Sequence, residues 1–297
     1  MHAVVLAGGL GTRMRAADPG ATLTPDQQRA ADAGMKGMIP VNGHPFLDYI
    51  LSSLADAGIR DVALVVSPDH EVVRRYYREV APPARVRVSF VVQPEPLGTA
   101  NAVLAAEEWT ARDPFLAMNG DNLYPTDALA DLAALHEPGL PAFERDDLVR
   151  SGNIPPERIS AFAVVELDSR GYLNGIVEKP GDAVLARDGG AHATAMGGRS
   201  AAQPLPGSSS VPAQRAGGDS VLISMNCWRF DARIYDACRA VPRSKRGEFE
   251  LPEAVGLAIR SGMAFKALRA RGRVLDLSRR ADMADVARRL TGTVPRP

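Results

Sequence analysis

The chain has 297 residues, 45% of them apolar and 24% charged, enough to bury a sizeable core. Basic and acidic side chains number 35 each, so no overall field draws nucleic acid or an anionic membrane, and an anionic ligand must be captured locally. Two cysteines exclude a disulfide framework and read as small buried residues in a reducing cytoplasm, with no membrane-spanning run and no secretory leader pattern.

Apolar runs alternate with helical patterns through the first half. Strands are expected at residues 3–7, 62–66, 86–92 and 115–119, and helices at about 45–57, after Asp69, and at about 99–109. Runs without polar alternation suit strands covered on both faces, and strand, helix, strand in series implies a mostly parallel sheet. Ligands then bind beyond the carboxyl ends of the strands, where the loops after Ala7 and after Asn119 lie. Further along, residues 159–180 read as two antiparallel strands joined by a turn at 169–171. Residues from about 187 to 218 are Gly-, Ala-, Ser- and Pro-rich and are expected to be a mobile insertion without regular structure. A strand ending at Asp231, helices near 232–240 and 251–261, strands in AFKALRA and RVLDL, and a closing helix at 281–290 complete the pattern. The whole reads as one domain over 1–297, with a first half at 1–140 and a second half at 141–297. No internal repeat is found.

The first strand runs into LAGGLGTRMR, where Gly8, Gly9 and Gly11 precede Arg13. Glycines let backbone N–H groups approach phosphate oxygens closely, and an arginine adds charge at the mouth of the turn. The Walker pattern is excluded because Thr12 and Arg13 follow Gly11, and the dinucleotide fingerprint because Met14 stands where its third glycine is needed. Alone, the turn is a weak signal and reads better as a tight loop at a strand end with a solvated arginine. Four other stretches bear on it: MKGMIP with Lys36, QPEPLGTANAV with Gln93 and Gly98, AMNGDNLYP with Asp121, and IVEKP with Glu178 and Lys179. RVLDLSRRADM places Asp276 at another strand end.

In this order the motifs resemble the sugar-1-phosphate nucleotidyltransferases, over most of the chain. The resemblance implies a Rossmann-like α/β fold of the GT-A type: a mixed, mostly parallel sheet flanked by helices, with an antiparallel sugar-binding part. It implies attack by a sugar 1-phosphate on the α-phosphorus of a nucleoside triphosphate, UTP or dTTP favoured, with Mg2+ as cofactor. Arg13, Lys36 and Asp121 would be catalytic, and Asp121 and Asp276 would bind the metal. Leu6, Gly8, Gly9, Gly11, Thr12, Gln93, Gly98 and Thr99 would contact the nucleotide, with Gln93 offering both amide donor and acceptor to the base. Glu178, Lys179 and Asn226 would hold the sugar phosphate. No nucleic acid or membrane partner is implied, and a homo-oligomer is left open.

Several residues depart from the family pattern. Gly37 replaces the usual proline after the lysine and is expected to loosen its loop. Leu277 to Ala281 replace the usual turn after Asp276, so that a structural aspartate competes with a metal ligand there. Phe162, Ala163 and Asn226 alter the sugar face, which keeps phosphocholine or a similar acceptor open, as does a non-catalytic nucleotide-sugar-binding subunit. The stretch 15–35 is longer than in the family, with a helix expected after Pro25 capped by Thr24, and reads either as a lid or as a surface insertion.

Overall fold

The computed structural model describes residues 1–177 and 221–297. Glu178, Lys179 and the expected insertion at about 187–218 lie outside the described residues. In chain order the strands are β1 (His2–Leu6), β2 (Pro40–Val41), β3 (His44–Pro45), β4 (Asp61–Val66), β5 (Arg87–Val92), β6 (Phe115–Asn119) and β7 (Asn122–Leu123). They continue with β8 (Gly139–Glu144), β9 (Ala163–Leu167), β10 (Leu173–Val177), β11 (Leu222–Ser224), β12 (Cys227–Phe230), β13 (Lys266–Ala270) and β14 (Leu275–Asp276).

One mixed sheet carries most of them, in the order β10-β9-β11-β8-β12-β6-β1-β4-β5, with β13 also beside β8. β6-β1-β4-β5 are parallel, β13 lies parallel to β8, and β8, β9, β10, β11 and β12 pair antiparallel. Strand alternation then explains why the runs are continuously apolar. Ala3 and Val5 of β1 pack into one core cluster with helix Phe46–Asp56, while Val4 faces the opposite cluster around Trp228 and Phe230.

Three elements differ from expectation. The strand expected to end at Asp231 is two strands, because Asn226 adopts a left-handed φ of 58° and redirects the chain from between β9 and β8 to between β8 and β6. The strand expected from residue 159 begins at Ala163; Pro156–Ala161 form a 3-10 turn whose Arg158 is drawn into a buried ion pair. The helix after Asp69 ends in a π-helical turn, Tyr76–Val80, in which consecutive tyrosines both donate to buried Asp48, at 3.1 and 2.9 Å.

The long stretch before Lys36 packs as a buttress. Thr24 and Gln27 form a capping box at the start of helix Pro25–Asp32, and Ala30 and Ala31 enter the core. Arg280 spans back to it, donating to the Met14 and Arg15 carbonyls and pairing with Asp32 at 2.6 Å. Of residues 15–35 only Gly34 lines the cavity described below, which favours the surface-insertion reading over a lid.

Candidate active site

At the carboxyl ends of β1 and β6 the sheet opens into a cavity of about 380 Å³. The glycine turn forms one wall. Gly11 has φ 62°, and a Cβ there would lie 2.4 Å from the Gly34 carbonyl oxygen, so the turn can close onto the buttress only without a side chain. Arg13 sits at the start of helix Thr12–Arg15, exposed on the cavity, with no hydrogen bond or ion pair to any described residue. Leu6, Gly8, Gly9, Gly11 and Thr12 line the same wall.

Lys36 opens a 3-10 turn and points across the cavity to Asp121, with Nζ 2.6 Å from Oδ2. Burial works against the ammonium, but Asp121, and beyond it Asp276, outweigh burial and hold the Lys36 pKa above the ordinary lysine value. Gly37 does not loosen this loop. A Cβ at that position would stand 2.6 Å from Leu47 Cγ in the core, so glycine permits a close approach that a side chain would block.

The two aspartates expected to hold a metal are brought together by a short antiparallel pairing, in which β14 lies on β7 with Asp276 opposite Asn122. The Leu277 N–H also donates to the Asp121 carbonyl at 2.8 Å. Their surroundings differ. Asp121 gives Oδ2 to Lys36, while its Oδ1 accepts no hydrogen bond from a described residue. Asp276 is 2% exposed and accepts four: from Arg158 (2.6 Å) and the Ser278 N–H (3.2 Å) at Oδ1, and from Asn122 (3.1 Å) and the Ser278 hydroxyl (3.0 Å) at Oδ2. A carboxylate has about four lone-pair sites, so Asp276 has none open. Asp121 therefore has an oxygen open to a cation, while Asp276, which lines the same cavity, has its oxygens engaged by these four hydrogen bonds. Among the described residues no group of three or more His, Cys, Asp or Glu is placed to hold a metal by itself.

Arg158 also pairs with Asp282 at 2.6 Å, and Asn153 clamps the Asp276 backbone through both of its amide atoms. Burial, with Asp276 adding to it, keeps the Asp282 carboxyl above the usual range even beside Arg158. On the opposite wall, Gln93, Gly98 and Thr99 line the cavity. The Thr99 hydroxyl accepts the Leu251 N–H at 2.9 Å, joining this wall to helix Leu251–Arg260. Gln93 does not present its donor to the cavity, since Nε2 donates to the Gly98 carbonyl (3.1 Å) and to Asn101 Oδ1 (2.8 Å). Asn226 lines the cavity with its amide bridging Asn119 (2.7 Å) and Trp228 (2.9 Å); its left-handed φ explains why glycine or asparagine suits the position.

Sequence reasoning passed over Arg158 and the loop carrying Arg246, Glu248 and Glu250, which also line this region or its support. The signal available for this loop was its place between Pro242 and Pro252, just ahead of a helix.

The chain matches the profile of the family described as Nucleotidyl transferase over residues 2–290. It belongs to that family. A UTP–glucose-1-phosphate uridylyltransferase of Haloferax volcanii is 28% identical, the match covering 98% of this chain and 96% of that protein. A glucose-1-phosphate thymidylyltransferase of Streptomyces antibioticus is 29% identical over 99% of this chain and 69% of its own length. The crystal structure of a UDP-glucose pyrophosphorylase complexed with UDP-glucose superposes with a TM-score of 0.68 at 16% identity, covering 99% of both chains. The nucleotidyltransferase therefore has the fold and the strand-end cavity that its motifs implied. Among its described residues no helix is long and apolar enough to cross a membrane.

Proposed function

We propose that this nucleotidyltransferase joins a nucleotidyl group from UTP or dTTP to a sugar 1-phosphate and releases pyrophosphate. The observation that carries the reading is the convergence of Arg13, the glycine turn and the Lys36–Asp121 pair on one cavity at the strand ends. Both reactants are polyanions, and the transfer needs alignment and charge neutralisation more than covalent help. An oxygen of the sugar phosphate attacks the α-phosphorus, the bond from that phosphorus to the bridging β-oxygen breaks, and pyrophosphate carries away the electron pair.

The turn N–H groups hold the triphosphate. Arg13 offers a forked, charge-assisted contact to the leaving pyrophosphate, and Lys36 places a compact positive charge beside the phosphates. A divalent cation, Mg2+ in this reading, would be held by Asp121 with phosphate oxygens and water and would neutralise phosphate charge. Asp276 is proposed as an anchor that positions the Asp121 loop. Gln93, Gly98 and Thr99 face the nucleoside. Asn226, with Glu178 and Lys179, is assigned to the sugar phosphate on the family resemblance alone.

A panel of triphosphates and sugar 1-phosphates with Mg2+ tests the reading by pyrophosphate release. Turnover with UTP or dTTP and a hexose 1-phosphate is expected. Turnover only with phosphocholine would replace the acceptor, and nucleotide-sugar binding without any pyrophosphate exchange would replace the enzyme by a binding subunit.

A further inference from the structure

We infer that Arg280 is the positioning residue that aims Arg13 at the cavity: its guanidinium holds the carboxyl end of the one-turn helix carrying Arg13 against the helix that precedes Lys36. The inference rests on the proposed nucleotidyl transfer, in which Arg13 meets the departing pyrophosphate. The Arg13 side chain is exposed and makes no hydrogen bond or ion pair to a described residue, so its direction is set by its backbone. That backbone is short. Helix Thr12–Arg15 closes on two internal bonds, from the Arg15 N–H to the Gly11 carbonyl (2.9 Å) and from the Ala16 N–H to the Thr12 carbonyl (3.2 Å). A single turn does not persist in water without outside support, because so few bonds do not offset the cost of nucleation.

Support reaches it from three sides. At the amino end Gly11 closes on Gly34. Beneath the middle, Met14 is wholly buried, but one flexible side chain fixes the depth of the turn and not its direction. At the carboxyl end a helix leaves carbonyls without helical donors, and Arg280 takes two of them: Nε donates to Met14 at 2.8 Å and Nη2 to Arg15 at 3.2 Å. Nη2 also donates to Asp32 Oδ1 at 2.6 Å, and Gln28, one turn earlier in the same helix, holds the Asp32 carboxylate at 2.8 and 3.0 Å. Arg280 is 7% exposed, so the fork lies largely out of water, where leaving its partners unpaired is costly. Arg280 does not line the cavity, so it acts through the backbone of the turn and does not touch the nucleotide. Both ends of this clamp fall where the chain departs from the family pattern, Arg280 in the replaced turn after Asp276 and Asp32 in the lengthened stretch before Lys36. The two departures complete one another.

The test is a double-mutant cycle on single-turnover pyrophosphate release, with the triphosphate and sugar 1-phosphate that the wild type turns over fastest. Arg280→Met keeps an apolar stem and removes the fork. It is expected to lower the chemical rate about tenfold while the triphosphate Kd changes less than about threefold, the pattern of a misaimed group. In the Arg13→Ala background the same substitution is expected to lower the rate less than about twofold, because no guanidinium is left to aim. Arg280→Lys keeps the charge beside Asp32 and is expected to retain a several-fold loss, since a single ammonium does not reproduce the planar fork. Should Arg280→Met fail to fold, the cycle is read with Arg280→Lys. Equal losses in the two backgrounds would show a merely structural role and overturn the inference, as would a fully active Arg280→Met or Arg280→Lys, or an Arg13→Ala enzyme as fast as the wild type. A wild type that releases no pyrophosphate from any triphosphate would instead refute the proposed transfer.

Discussion

Asp121 and Asp276 stand at neighbouring strand ends, paired through β7 and β14, and yet live in opposite surroundings. Both line the cavity, but Asp121 meets a single lysine, whereas Asp276 is 2% exposed and accepts four hydrogen bonds, one of them from the buried Arg158. The difference teaches that proximity of carboxylates does not by itself make a metal site. A carboxylate can bind a cation only with a lone pair left over, and the donors brought by the rest of the fold decide that.

The largest effect that would break or sharpen this contrast is expected at Asp121. Asp121→Asn should lower kcat for pyrophosphate release by roughly 10³-fold, because charge placed at the reacting phosphates is lost. A loss under tenfold would remove Asp121 from the chemistry. On the other side, Arg158→Met leaves Asp276 and Asp282 buried without their cation and should cost about 3–5 kcal/mol in denaturant unfolding. The Mg2+ concentration giving half-maximal rate should shift less in Asp276→Asn than in Asp121→Asn; a shift as large as that of Asp121→Asn would make Asp276 a ligand after all. Arg13→Ala should reduce turnover by about 10²-fold with a smaller change in nucleotide affinity, read by single-turnover kinetics against binding titration.

A third carboxylate extends the comparison with the smallest expected effect. Asp48 is enclosed like Asp276, but it is met by the hydroxyls of Tyr76 and Tyr77 in place of a guanidinium. Burial outweighs those hydrogen bonds and raises its pKa. The native state then holds its proton to higher pH than the unfolded chain does. Its contribution is favourable below the ordinary carboxylate pKa, about 4, and is lost as pH rises through the raised value. The stability advantage of the wild type over Asp48→Asn should therefore shrink between acid and neutral pH. A pH-independent difference in unfolding free energy would refute this account.

Much of the fold was legible because its signals are local. Continuous apolar runs marked β1, β4, β5 and β6, and Thr24 before Pro25 marked a helix start. The break between β11 and β12 was hidden, since an apolar run through Met225 and Asn226 carries no mark of the left-handed φ that divides it. The glycine turn, Lys36 and Asp121 were readable as a phosphate cradle because their residue types already specify the chemistry. Arg158 was not, because an arginine after two prolines reads as exposed until its partners 118 and 124 residues away are in place.

The sequence by itself determined which chemical groups stand at the strand ends and in what order, and hence the family. Only the tertiary structure decided which of those groups remain available. Gln93 loses its donor to Gly98 and Asn101, Asp276 loses its lone pairs to Arg158, Asn122 and Ser278, and Asp121 keeps one oxygen open. The physical reason is that hydrogen-bond capacity is finite and is used up by whichever donors and acceptors the fold brings within 3 Å or so, many of them far away along the chain.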